Sequence, residues 1–451
     1  MSNWPPQYAP ARTLAGKLQR GLGTGFLEAL AAPPEVVHPL LLDCIRVDPR
    51  VDHQLDHRDV YYAELAQRVA LPLTSVFEDL IDAASDEGEK TYLAVCVLVE
   101  LARRGHEEAD AALRDYVHWG PFWHSVCWQL GLLATTPKWL ALVPALAVRA
   151  EQNPDEGSWD REPFPTWGRD EPRFKALAEE DRRRWGKRAS PLAKPRGTTA
   201  KLLEPLTSGP ATPIIAELAR RGSPRDLELI EAATGSTFAM TRAIAISAQF
   251  ERGDWRNWDA ALDMALHDQN PPYATGIANR AILNAPADVL LPYARKWKSS
   301  PVFRRQHLAW SILKQYATPE FLPWIEARLE RASASKPEAR FDATSLAEMI
   351  TNRFSGHPFP SLGRKFDAFT YSFGRRYLAE ALAVTDPTFP TTRAFTSLWD
   401  CESSVRVIAA EHVSLEVPGS MERLREMAAD PLEEDSRIRK VAERRLGTLT
   451  N

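Results

Sequence analysis

Long hydrophobic runs are missing from this 451-residue sequence. A typical apolar stretch runs from Tyr92 to Val99 and is closed by Glu100, well short of the ~20 residues that a membrane-spanning helix needs. Met1 to Pro10 hold Pro5, Pro6 and Pro10 in place of a basic region followed by an apolar core. The expected compartment is therefore the cytoplasm, with no membrane partner. Cysteine is scarce: Cys44, Cys96, Cys127 and Cys401 form no CxxC pair, which argues against a disulfide framework and predicts buried, reduced thiols. An excess of one charge is lacking too. The formal net charge is -4, so any attraction to nucleic acid or an anionic surface must come from local patches. Alternating strand patterns are absent, as are a phosphate-binding loop, a dinucleotide fingerprint, a nucleophile elbow and HExxH. The expectation is no catalytic residue, no metal and no cofactor, and the reading leans away from an enzyme.

What the sequence does hold is helical periodicity. Pro, Gly, Asp and Ser punctuate apolar stretches of roughly 10–18 residues, the length of ordinary helices. The periodicity predicts helices over 11–31, 34–47, 58–70, 88–104, 107–117, 122–134 and 137–150. It predicts more over 211–221, 237–252, 256–267, 272–284, 302–316, 341–354, 376–384, 403–415 and 434–447. Short helices joined by short turns form antiparallel pairs. The pairs also repeat. Val405, Arg406 and Ala409 are echoed 33 residues later by Ile438, Arg439 and Ala442. Leu101-Ala102-Arg103-Arg104-Gly105 recurs as Leu218-Ala219-Arg220-Arg221-Gly222, with a degenerate form ending at Gly253. In each, a basic last turn complements the helix dipole and glycine ends the helix.

A period in the low thirties to forties marks a helical solenoid. The polar start followed by Val-Arg-x-x-Ala-x-x-x-Val/Leu resembles short HEAT repeats of the kind found in phycobilin-lyase-like proteins. The resemblance covers 402–447 well and 211–316 in part. It implies an all-α, α-solenoid fold of antiparallel helix pairs, with a concave face that binds another macromolecule.

Prolines gather between Glu151 and Pro210, which predicts a Pro-rich linker around one helix near 171–187. The expected division is a repeat array over 1–150, the linker over 151–210 and a second array over 211–451. A second irregular stretch is expected over 355–375, and long loops in compact folds are usually functional or mobile.

Four constellations are candidate sites. Phe359, Arg364, Lys365, Phe366, Phe369, Tyr371, Phe373, Arg375 and Arg376 fall in a stretch whose only acid is Asp367. Aromatics and arginine anchor interfaces, so this loop is the expected contact for a protein partner. Arg182, Arg183, Arg184, Trp185, Lys187 and Arg188 form a basic run with an aromatic inside it. That pattern suits phosphates and a stacked base, giving nucleic acid as the alternative partner. Acidic residues 151–162 just upstream oppose it. Asp52, His53, Asp56 and His57 carry metal-ligand side chains, but a turn with Asp56 capping the next helix explains them better. Trp255, Trp258 and Asp259 resemble the concave-face residues of HEAT-like DNA glycosylases, with ordinary packing and an Asp254 cap as the plainer reading.

Overall fold

The computed structural model describes residues 8–47, 57–74, 76, 88–155, 158–185, 197–204, 211–267, 269–332, 337–433 and 435–447. Among them are 27 α-helices and no strand. Helices pack on the next in sequence, as Trp258–Leu266 on Pro272–Ile282 and Ser420–Ala429 on Ser436–Gly447. They also pack on the next but one, as Ala239–Glu251 on Pro272–Ile282 and Ser403–His412 on Ser436–Gly447. Ala239–Glu251 is buried from Thr241 to Phe250 except at Arg242. Its neighbours cover almost every face, as a helix apolar all round requires.

One contact recurs along the chain. The last carbonyls of a helix have no partner within it, and an arginine about one repeat further on supplies one. Arg149 donates to the carbonyl of Val117 at 2.9 Å, 32 residues back. Arg252 donates to that of Arg221 at 2.7 Å, 31 back. Arg353 donates to that of Ala317 at 3.1 Å, 36 back, and Arg445 to that of Val413 at 2.6 Å, 32 back. Each guanidinium also meets the negative end of a helix dipole. The sequence period thus has a physical counterpart.

The chain divides into two compact units. One comprises Met1–Arg188, Trp324–Thr351 and Ser355–Asn451; the other comprises Ala189–Pro323 and Asn352–Phe354. These units do not follow the boundaries expected at 150 and 210. The first unit joins both ends of the chain: Cys401 N–H donates to the Gly21 carbonyl at 2.9 Å and the Tyr8 hydroxyl to the Thr370 carbonyl at 3.2 Å. Gly21 also splits the helix expected over 11–31 into Leu14–Gln19 and Gly23–Ala31. It adopts φ +64°, and a Cβ there would lie 2.3 Å from Cys401 Sγ, so only glycine fits.

The expected linker is partly core. Its helix spans Pro172–Trp185; Trp159 and Phe164 are buried against Trp123 and His124, and Trp167 and Phe174 pack on Phe164 and on each other. Trp167 Nε1 donates to the Ala134 carbonyl at 3.1 Å. Four large rings bury enough apolar surface to hold a proline-rich segment in place. Residues 186–196 and 205–210 lie outside the described residues. All four cysteines are buried.

Candidate functional site

The stretch expected to be a partner-binding loop is largely two helices, Pro360–Ala368 and Ser372–Thr385. Its residues divide between interior and surface. Phe359, Phe366, Phe369 and Arg375 are buried and cannot touch a partner in this state. Arg364 is exposed and pairs with Glu330 at 2.8 Å. Lys365 donates to the carbonyls of Glu330 and Ala332 at 2.7 Å each. Tyr371, Phe373 and Arg376 are half-buried, with the Arg376 guanidinium 4.9 Å from the Phe373 ring centre. Alternate helix faces produce this division: apolar and aromatic side chains follow the 3.6-residue period inward.

Arg375 leads to the feature that the sequence hides best, a buried ionic network in the first unit. Arg375 donates to Asp400 Oδ1 at 2.7 Å, to the Arg20 carbonyl at 2.8 Å and to Cys401 Sγ at 3.3 Å. Arg58 Nε reaches the same sulfur at 3.3 Å. Beside this lies a cavity of about 390 Å³ bordered by Glu64, Arg68, Arg406, Arg423 and Glu426. Four of these alternate in charge: Arg423 bonds Glu64 at 2.7 Å and Glu426 at 2.9 Å, and Arg68 bonds Glu64 at 2.9 Å and Glu426 at 2.7 Å. Burial alone would raise the Glu64 carboxyl, but the facing Arg423 outweighs it and holds its pKa at about 2. Glu100 behaves oppositely: burial pushes it up to about 7 against the pull of Arg103 and Arg104. Helix-face arginines resemble surface residues in a sequence, so no local signal marks this network. Its cations and carboxylates pair with one another, though Arg375 Nε and Asp400 Oδ2 are buried without a hydrogen bond among the described residues; the pairing suits a structural lock joining residues 58–68 to 400–426.

The basic run is exposed where described. Arg183 pairs with Glu180 at 3.1 Å, and Arg184 with Asp155 at 3.0 Å and Glu180 at 3.3 Å; Arg182 is exposed. The Trp185 side chain, Lys187 and Arg188 lie outside the described residues. Trp255 and Trp258 pack on Phe250 at 4.6 and 6.0 Å between ring centres. Trp258 Nε1 donates to the Tyr293 hydroxyl at 3.0 Å. Asp254 bonds Arg256 rather than capping the helix, which begins at Trp258. Asp52, His53 and Asp56 lie outside the described residues, and no group of three metal-ligating side chains occurs among those described. No described helix is long and apolar enough to cross a membrane.

A surface missed by the sequence reading lies in the second unit. Phe238, Tyr273 and Phe303 are 55%, 68% and 73% exposed. Each stands at the start of a helix: Ala239–Glu251, Pro272–Ile282 and Phe303–Tyr316. The first two helices pack together, and Arg304 ties the third to Thr275 of the second at 2.8 Å. Arg280 is exposed nearby and bonds Thr212 at 3.3 Å. One exposed ring within a residue of each helix start was the available sequence signal. Compared with known proteins, the chain matches no family model, no curated protein and no solved structure.

Proposed function

We propose that this chain is a cytoplasmic, non-enzymatic scaffold of HEAT-like α-solenoid type, and that it holds an extended segment of a protein partner. The observation that carries the reading is the row of exposed rings at Phe238, Tyr273 and Phe303. Aromatics concentrate binding energy at interfaces, and three large exposed rings at helix starts of one unit go beyond the scattered apolar residues of ordinary surfaces. Packed helices stand roughly 8–10 Å apart, while an extended chain advances about 3.3 Å per residue. About three residues of the segment would then span from Phe238 to Tyr273, whose helices pack together. Arg280 and Arg304 beside the rings favour a segment carrying Asp or Glu between its apolar residues.

Replacing Phe238, Tyr273 and Phe303 together by serine is expected to weaken a purified partner by at least about 100-fold, since interface aromatics contribute upwards of ~1 kcal/mol each. The helical circular dichroism should stay as it was, because the rings are exposed. A partner that binds the triple variant as tightly as the wild type would refute the ring row as the contact. Nucleic acid is the lesser reading, because the net charge is -4 and the acidic residues Glu151, Asp155, Glu156, Asp160 and Glu162 precede the basic run. No duplex mobility shift is expected at ~0.15 M salt, where only close contacts survive screening.

A further inference from the structure

Within the first unit, a cleft of about 610 Å³ is lined by Arg12, Lys17, Arg364 and Arg393. Thr24, Thr392 and Thr396 add hydroxyls, and Asp367 is the only acid in the lining. From this lining we infer a binding site for a small organic phosphate, independent of the partner-binding surface proposed above.

Four cations line the cleft against one acid, and Arg12 among them has no carboxylate partner among the described residues. Lys17 pairs with Glu28, Arg364 with Glu330 at 2.8 Å, and Arg393 reaches Asp386 at 3.7 Å. Glu28, Glu330 and Asp386 are not among the lining residues. They steady the cations from outside the cleft without filling it. Arg12 is exposed and makes no ion pair among the described residues. Arg393 is the fixed element. Asp367 accepts from its Nε at 3.3 Å and from a terminal nitrogen at 2.9 Å. Its guanidinium lies against Gly363, where a Cβ would come within 2.8 Å. Asp367 takes the Nε–Nη2 edge of this guanidinium, which leaves Nη1 as its donor for a phosphate oxygen.

The backbone adds to this field. Helix Gly23–Ala31 starts beside the cleft, and no side chain caps its first turn. Gly23 packs so tightly that a Cβ would strike the Thr396 carbonyl, which fixes that helix end against Arg393–Ser397. The positive end of the helix dipole then reinforces the cations. Ala11, Leu22 and Ala368 give the cleft an apolar side, and its volume is that of an ordinary small-ligand site. Inorganic phosphate would leave most of that space and the apolar side unused. A phosphomonoester with a compact organic part uses both.

Calorimetric titration of the full chain with inorganic phosphate, glycerol 3-phosphate and AMP tests the site. Sedimentation with phosphatidylcholine vesicles, with and without phosphatidic acid, forms a further arm. An organic phosphate should bind below about 1 mM and more tightly than inorganic phosphate. Arg12→Ala and Arg364→Ala should each weaken it roughly ten-fold, the effect of losing one charge-assisted contact. Both side chains are exposed, so the melting temperature should barely move and lost binding will not reflect lost folding. Sedimentation with phosphatidic acid vesicles, lost in the same two variants, would keep the phosphate site and assign it to a lipid headgroup. Absence of binding to every probe at 10 mM or above overturns the inference. Binding unchanged in both variants overturns it equally.

Discussion

Arg375→Met will lower the unfolding free energy by about 3–5 kcal/mol, the cost of breaking a buried ion pair by removing one partner. Arg375 and Asp400 are 0% and 1% exposed, so neither charge reaches water. Burial opposes the guanidinium charge, yet Asp400 beside it keeps the group protonated. Methionine fills similar space but strands the Asp400 carboxylate and removes the donor to the Arg20 carbonyl. Arg375→Met combined with Asp400→Leu should recover part of the loss, because the uncompensated charge goes with the second change. Urea unfolding of the two variants and the wild type measures both values. A loss below about 1 kcal/mol for the single change would show that the pair holds nothing together.

Glu64→Gln will cost roughly 3 kcal/mol at pH 7, and the difference will shrink as the pH falls toward 2. The folded carboxyl, at about 2, lies below its ordinary value of 4.5. Its contribution is therefore complete above pH 4.5 and is lost as the folded form takes up its proton. Glu100 works in the other direction. Its folded value of about 7 lies above 4.5, so between those values the folded state holds a proton that the unfolded chain has released. Stability from this group falls as pH rises from 4.5 to 7. Glu100→Gln should thus gain on the wild type from pH 5 to pH 8, the same interval in which Glu64→Gln is uniformly weaker. Equal pH profiles for the two variants would contradict the assignments.

Local rules made the helices legible. Proline, glycine and the 3.6-residue period placed Pro34–Arg46, Gly88–Arg103 and Glu107–Tyr116 within a residue or two of their observed bounds. The echo of residues 403–412 in 436–447 reappears as packed helices and as the Arg445 to Val413 contact. What failed was long-range. Nothing in Gly21 announces Cys401, and nothing in Glu64 announces Arg423, more than 350 residues away. Prolines in 158–185 read as linker because proline counts are local, whereas the burial of Trp159 and Trp167 is tertiary. Phe359 and Phe369 looked like partner anchors for the same reason: composition does not tell which face of a helix points inward.

Selection of displayed random peptides on the immobilised full chain tests the scaffold reading most directly. Enriched peptides should carry apolar residues about three apart with Asp or Glu between them. Their enrichment should vanish on the Phe238→Ser, Tyr273→Ser, Phe303→Ser variant at unchanged helical content. Peptides that enrich equally on the variant, or no enrichment on the wild type, would contradict it.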